Sequence, residues 1–356
     1  MVSIIWVLFG YSLAFSDGGA FNSLIGGLSN AFLMGVTRDS MPGDIPETVY
    51  SMFQLTFAII TPALIVGGFA ERMRFSAMLI FSVVWFILVY LPICHWVWGG
   101  GWLGEPGLLN FAGGTVVHIT AGVAAIVSAM VLGNRKGFPR AAMMPHNMTM
   151  TITGAGMLWV GWFGFNGGSA LSAGGHAGMA ILVTHISAAT GAFSWMMSEW
   201  IRFGKPSALG IATGMVAGLG TITPASGYVG PMAALVIGFV AGNLCYFCAM
   251  YIKQTLRIDD SLDVFPVHGV GGIAGTMFAG LFVASSLGGA GLADSVSMME
   301  QLGIQLVGVL ATSIWTALLT WLILKVIAMF LPLRVDEEEE MEGLDLVSHE
   351  EKGYNF

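Results

Sequence analysis

The sequence predicts an all-α, polytopic membrane protein, and three observations carry that prediction. Only 10% of the 356 residues are charged and 56% are hydrophobic, whereas soluble domains carry about 25% charged residues. The apolar residues fall in continuous runs of the length a helix needs to cross a bilayer, about 20 residues. Glycine is abundant, 50 of 356, and small residues let helices approach closely in lipid, where no hydrophobic force drives them together. Together these exclude an ordinary soluble enzyme. Continuous rather than alternating runs also exclude a closed β-barrel. A net charge of −8 offers no basic surface of the kind that nucleic-acid binding requires.

The elements follow in order. The first run, Met1 to Phe15, is too short to span and has no basic n-region of a signal peptide. It reads as the second half of a helix whose beginning is absent, and a misplaced start is the simplest explanation. Nine further runs lie at 48–70, 75–96, 112–133, 146–166, 177–201, 206–222, 229–252, 264–284 and 300–331. The membrane domain therefore extends over 1–332, followed by an acidic tail over 333–356. Asp336 to Glu340 is expected to be a solvated, disordered run. Gly343-Leu344-Asp345 and Tyr354-Asn355-Phe356 interrupt it with groups able to dock.

Orientation follows from the basic residues. Arg72 and Arg74, then Arg135, Lys136 and Arg140, then Arg202 and Lys205, then Lys253 and Arg257 fall in alternate loops, with Arg334 and Lys352 in the tail. The intervening loops around 97–111, 167–176, 221–230 and 285–299 hold no Lys or Arg. This alternation places the basic loops and the C-terminus in the cytoplasm. The sequon Asn147-Met148-Thr149 borders such a loop and is discounted as a glycosylation site.

Val117 to Ala124 (Val-His-Ile-Thr-Ala-Gly-Val-Ala) resembles Val267 to Ala274 (Val-His-Gly-Val-Gly-Gly-Ile-Ala), 150 positions on. The first copy enters the membrane from an outside loop and the second from an inside loop. That is the pattern of an inverted repeat with its site at the interface of the halves. Ionisable groups inside spans mark a pathway by default. A lone histidine is as readily a buried group satisfied by a carbonyl. Two related by the repeat favour a pair at the pore centre, His118 and His268, where neutral imidazoles can share a proton. His95, His146, His176, His185 and His349 have no such partner and read as structural or interfacial.

Trp98 stands at an outer helix end, where tryptophans commonly belong to the interfacial belt. Phe53 and Phe57 share a helix face, and Phe163 and Phe165 sit in Gly161-Trp162-Phe163-Gly164-Phe165-Asn166-Gly167-Gly168-Ser169. Aromatic faces lining a pore can hold a cation; facing lipid, they are filler. Composition does not choose between these. Cys94, Cys245 and Cys248 lie in apolar runs and read as small buried hydrophobes. Gly164/Gly168, Gly214/Gly218, Gly238/Gly242 and Gly271/Gly275 have the four-residue spacing of helix contacts.

These segments, with Tyr11 to Phe15, Ala70 to Ser76, Phe111 to His118, Asp263 to Gly269 and Gly343 to Asp345, make the chain resemble an ammonium transporter of the Amt/Mep/Rh family, close to its bacterial Amt branch. The resemblance runs from Trp6 to Phe356. It implies an Amt-type bundle with an inverted five-plus-five repeat. The family has eleven helices; about ten segments are recognisable here, because the match begins late in the second. It also implies a homotrimer in the cell membrane, with one pore per subunit and no cofactor. By motif position, Trp98, Phe57 and Ser169 would recruit ammonium, or methylammonium as its analogue. Phe57 and Phe165 would form the gate, with Trp162 lining the route to His118 and His268. A PII-type signal protein would dock on the cytoplasmic loops and tail.

The chain departs from the family pattern in two further places. Asn110 stands where the family has Asp; it can still cap a helix starting near Ala112 but carries no charge to attract the cation. The tail reads Ser348-His349-Glu350-Glu351 where Gly usually follows His. Two alternative functions are an ammonium sensor with little flux and a neutral gas channel of the Rh type. No nucleophile–base pair or metal-ligand cluster stands out, which argues against an intramembrane enzyme.

Overall fold

The computed structural model describes residues 1–354; of the docking groups named above, Asn355 and Phe356 lie outside them. Among the described residues the chain is helical, with one isolated antiparallel bridge between Met73 and Arg334. Seven helices are long and apolar enough to span: α2 (Glu47–Phe69), α3 (Phe75–Trp98), α4 (Gly114–Leu132), α6 (Gly175–Phe203), α8 (Pro231–Leu256), α9 (Phe265–Phe282) and α10 (Met298–Ala328). Two shorter apolar helices, α1 (Val2–Phe15) and α7 (Ala208–Ile222), join them. The tenth, α5 (Met148–Gly168), has the length of a span, but its glycines and threonines dilute its hydropathy. All ten correspond to runs seen in the sequence.

Glycines set the closest helix contacts. A Cβ on Gly218 or Gly238 would meet the Ser187 carbonyl at 2.3 or 2.4 Å, which locks α6 between α7 and α8. Gly214, Gly242, Gly271 and Gly275 likewise press on neighbouring helices. Gly164 does not: nothing lies within 4 Å of a Cβ placed there. The expected contact face at Gly164/Gly168 is thus corrected to Gly168 alone, which meets the Phe53 ring at 2.8 Å.

Burial orders the layers. An 18-residue apolar stretch of α4 is 83% buried and one of α10 only 33%, so of the seven long helices α4 is the innermost and α10 a peripheral one. Leu306, Leu310, Leu318 and Leu322 of α10 are exposed, as suits a face toward lipid. Its opposite face carries polar anchors. Gln305 Nε2 donates to the carbonyls of Leu109 and Thr276, both at 2.8 Å, and its Oε1 accepts from Leu109 N at 2.8 Å. Thr320 Oγ1 accepts from Trp85 Nε1 at 3.0 Å.

At the end bearing the basic loops, Arg72 is fully buried and donates to Gly68 O, Asp259 O and Ser261 Oγ at 2.9, 2.6 and 2.8 Å. Arg135 grips the Asp259 carboxylate through Nε at 2.8 Å and Nη2 at 2.9 Å. Burial alone would raise the Asp259 carboxyl, but the hydrogen bonds and charge of Arg135 outweigh it and hold the pKa below its usual value.

The tail is folded, contrary to the expected disordered run. Asp336 caps α11 (Glu337–Glu342) with a capping box, and α12 (Leu344–His349) follows. Glu339 meets Arg74 at 3.5 Å, Glu337 meets Lys136 at 2.9 Å, and Glu340 meets Arg334 at 2.6 Å. The exposed Lys136–Glu337 pair contributes little by itself, whereas the Arg334–Glu340 pair is partly buried. Apolar docking adds to them: the His349 ring packs edge-on against Phe75 with centroids 4.7 Å apart. The disorder rule counts the acidic residues but not the basic loops that receive them.

Candidate functional site: a buried histidine pair beneath an aromatic cap

Both predicted pore histidines sit in single π-helical turns, His118 in Gly114–Ile119 at the start of α4 and His268 in Phe265–Val270 at the start of α9. Such turns widen the helix locally and often occur at functional sites. The run predicted from residue 112 begins two residues later because Gly113 adopts φ 109°, a left-handed conformation natural to glycine. Asn110 still supplies a cap: its Oδ1 accepts from Thr115 N at 3.1 Å. On the other half, Asp260 Oδ2 accepts from Phe265 N at 2.7 Å. Asn110 and Asp260 each precede their histidine by eight positions, so the two pore helices are started by the same device. The 150-residue offset held that signal, and the sequence reading missed it.

Two further glycines bring the halves together. Gly122, four residues after His118, abuts the backbone of Gly269, and a Cβ there would lie 2.2 Å from its nitrogen. Gly272, four residues after His268, abuts the His118 Cβ, at 2.9 Å from where its own would stand. Each half therefore makes room for the other's histidine turn. The outcome is a direct contact, with His118 Nδ1 3.1 Å from His268 Nδ1 and the rings nearly parallel at 12°. Both residues are buried, and His118 Nε2 has no hydrogen-bond partner.

Aromatic rings lead to this pair. Trp98 meets Phe57 edge-on at 5.6 Å, and Phe57 meets Phe165 at 4.3 Å. Phe165 lies 6.1 Å from His118, and Trp162 stacks on His118 at 5.6 Å and 6°. Trp162 is fixed by its Nε1, which donates to Thr223 Oγ1 at 2.8 Å. Outside the aromatic pair lies a cavity of about 190 Å³ lined by Tyr50, Gln54, Phe57, Trp98, Phe111 and Ser169, among others. Trp98 Nε1 donates to Asn110 O at 3.1 Å, and Ser169 Oγ to Phe165 O at 2.9 Å. A largely apolar groove of about 780 Å³ between α2 and α5, open at the exposed side chains of Ile59, Met157 and Leu158, reaches Phe165, His118 and His268.

The expected recruitment, gate and pore residues are thus joined by successive contacts, from Trp98 through Phe57 and Phe165, which accepts from Ser169, to Trp162, His118 and His268. Phe163 stands outside this series and contacts His185 instead, at 6.0 Å. The remaining histidines stand apart: His95 faces the carbonyls of Ala14 and Asn22 at 2.9 and 2.6 Å. Among the described residues no group of three or more His, Cys, Asp or Glu could hold a metal ion. Gln54 and Thr223 are site residues that the sequence reading did not single out. Gln54 shares a helix face with Phe57, and that spacing was the available signal.

A polytopic helical bundle with paired ionisable groups buried in an apolar interior has the build of a membrane transport protein. The chain belongs to the Ammonium Transporter Family, whose sequence profile matches residues 1–354. An ammonium transporter of Bacillus subtilis is 49% identical, covering 99% of this chain and 87% of its own. One of Aquifex aeolicus is 45% identical over 100% of this chain and 83% of its own. A solved structure described as a sensor Amt protein superposes with TM-score 0.89 at 32% identity, over 98% of this chain and 87% of its own. Saccharomyces cerevisiae Mep2 superposes with TM-score 0.85 at 38% identity, over 95% and 78%. The protein is a multi-pass membrane ammonium transporter, of a family of transporters rather than enzymes.

Proposed function

We propose that the protein recruits ammonium at Trp98, Phe57 and Ser169, where one N–H bond breaks and its proton passes to water of the outer cavity. Ammonia then passes between Phe57 and Phe165 to His118 and His268, and the proton crosses separately by way of the imidazole pair. The physical problem is to admit ammonium and refuse potassium, which has the same charge and a similar size. Only ammonium donates directional hydrogen bonds, and only ammonium can become neutral by losing a proton. A bare cation pays a large desolvation cost in an apolar passage; ammonia does not. The aromatic pair then serves as a gate in contact, and the imidazole pair as the polar foothold inside. One Nδ1 must carry a proton and the other a lone pair, so the pair is able to hand a proton along.

The observation that supports this reading best is the Nδ1–Nδ1 contact at 3.1 Å, at the inner end of the line of rings. The same reading places the domain 1–332 as a homotrimer in the cell membrane, one pore per subunit, with the tail 333–356 in the cytoplasm. The folded tail and its basic loops would form the surface for a PII-type signal protein.

Solid-supported-membrane electrophysiology on reconstituted protein tests the reading, with ammonium, methylammonium and potassium pulses. Current with ammonium and none with potassium supports it; uptake without current indicates a neutral gas channel of the Rh type. A sensor is the second reading, favoured by the likeness to the sensor Amt structure and by the uncharged Asn110. Binding without uptake would select it.

A further inference from the structure

We infer that Gln54 is a substrate-contacting residue of the outer cavity, its side-chain carbonyl accepting a hydrogen bond from ammonium. The inference rests on the recruitment reading above and adds to it the acceptor that separates ammonium from potassium.

Tyr50, Phe53, Gln54 and Phe57 occupy positions i, i+3, i+4 and i+7 of α2, one face of the helix. That face forms one wall of the 190 Å³ cavity. Gln54 is only 6% exposed. Its Nε2 is directed to the Tyr50 hydroxyl at 3.4 Å, and its Oε1 has no hydrogen-bond partner. A buried carbonyl left without a donor is costly, and such groups in native proteins call for an explanation.

The rest of the cavity wall explains why the acceptor matters. The indole of Trp98 is a donor only and is committed to Asn110 O. The proton of Ser169 is committed to Phe165 O, which leaves its oxygen as an acceptor. The rings of Phe57 and Trp98 attract any cation by the same face charge. They therefore hold potassium and ammonium alike. One amide oxygen beside them completes a directional bond with an ammonium N–H, whereas potassium is compensated for its lost water only by a ring of several carbonyl oxygens. Gln54 lies one helical turn from Phe57, so ammonium held on the ring presents a donor to it before crossing.

The test compares Gln54→Leu, Gln54→Glu and Phe57→Ala with the unmodified protein in proteoliposomes, reading the half-saturation for ammonium and the competition by potassium. Gln54→Leu is expected to raise the half-saturation about tenfold, the size of one charge-assisted hydrogen bond, and to make potassium a better competitor. Gln54→Glu keeps the acceptor and adds charge, so it lowers the half-saturation. A purely structural role would change the amount of active protein but not the ratio of ammonium to potassium. If Phe57→Ala raises the half-saturation for ammonium while Gln54→Leu leaves the ratio unchanged, the inference fails while the recruitment reading stands. If Phe57→Ala leaves the half-saturation unchanged and Gln54→Leu leaves the ratio unchanged, both fail. Should Gln54→Leu not assemble, Gln54→Glu decides: a half-saturation equal to or above that of the unmodified protein overturns the proposal.

Discussion

Nδ1 of His118 lies 3.1 Å from Nδ1 of His268, across an offset of 150 residues. The contact requires complementary protonation, with one nitrogen donating and the other accepting, and this makes the pair a single unit. The turns that carry the two rings are seated against glycines of the opposite half, Gly272 facing the His118 Cβ and Gly122 the backbone of His268 and Gly269.

His118→Leu keeps the volume of the ring and removes its polar atoms. The protein is expected to assemble, and ammonium current to fall more than about tenfold or potassium to pass. The check is current from proteoliposomes alongside size-exclusion profiles. Unchanged current with unchanged potassium rejection would remove the histidines from the mechanism.

Asn110→Asp restores a negative charge at a buried position, 4% exposed, whose oxygen already caps the turn at Thr115. The cap survives, since either side chain supplies it. Uptake at low ammonium is expected to rise severalfold because charge of one sign concentrates the cation at a mouth. Methylammonium uptake against concentration checks this, and superimposable curves would count against a recruiting role.

Asp260, in the turn between α8 and α9, has its carboxyl pushed up to about 7, first by burial and then by the neighbouring Asp263. Below about pH 3 folded and unfolded chains both hold the proton and the group contributes nothing. As pH rises toward 7 the unfolded chain releases the proton while the folded one retains it, so stability falls across that window. Asp260→Asn retains an oxygen for Phe265 N and removes the ionisation. The variant should match the unmodified protein at or below about pH 3 and exceed it by about 1 kcal/mol or more at pH 8. Thermal unfolding in detergent at several pH values measures the difference, and a gap independent of pH would refute the assignment.

Glu350 ends α12 with φ 55°, in the left-handed region, at the position where the family usually places glycine. The tail therefore keeps the glycine-type geometry with a residue that resists it. Glu350→Gly is expected to stabilise the docked tail by about 1 kcal/mol. Limited proteolysis of the tail should slow; equal or faster cleavage would contradict the expectation.

Much of this was legible in the sequence. The ten helices follow from apolar runs, since a chain in lipid must satisfy its backbone within each segment. Which residue pairs meet in the centre was legible too, because the Val-His motif recurs 150 positions on. The tail was misread because its fold depends on Arg74, Lys136 and Arg334, which lie elsewhere in the chain. Gly164 was misread because spacing alone does not say which face of α5 is covered.

The sequence by itself determined the spans, their alternation across the membrane, and the family to which the chain belongs, for these rest on local composition and ordered motifs. Only the tertiary structure decided that Phe57 touches Phe165 while Phe163 turns away, and that Gln54 lines the outer cavity with its side-chain oxygen buried and unpartnered. Those facts depend on how helices rotate about their axes when packed. Rotation is fixed by contacts between distant segments, such as Gly122 on Gly269, that no local pattern records.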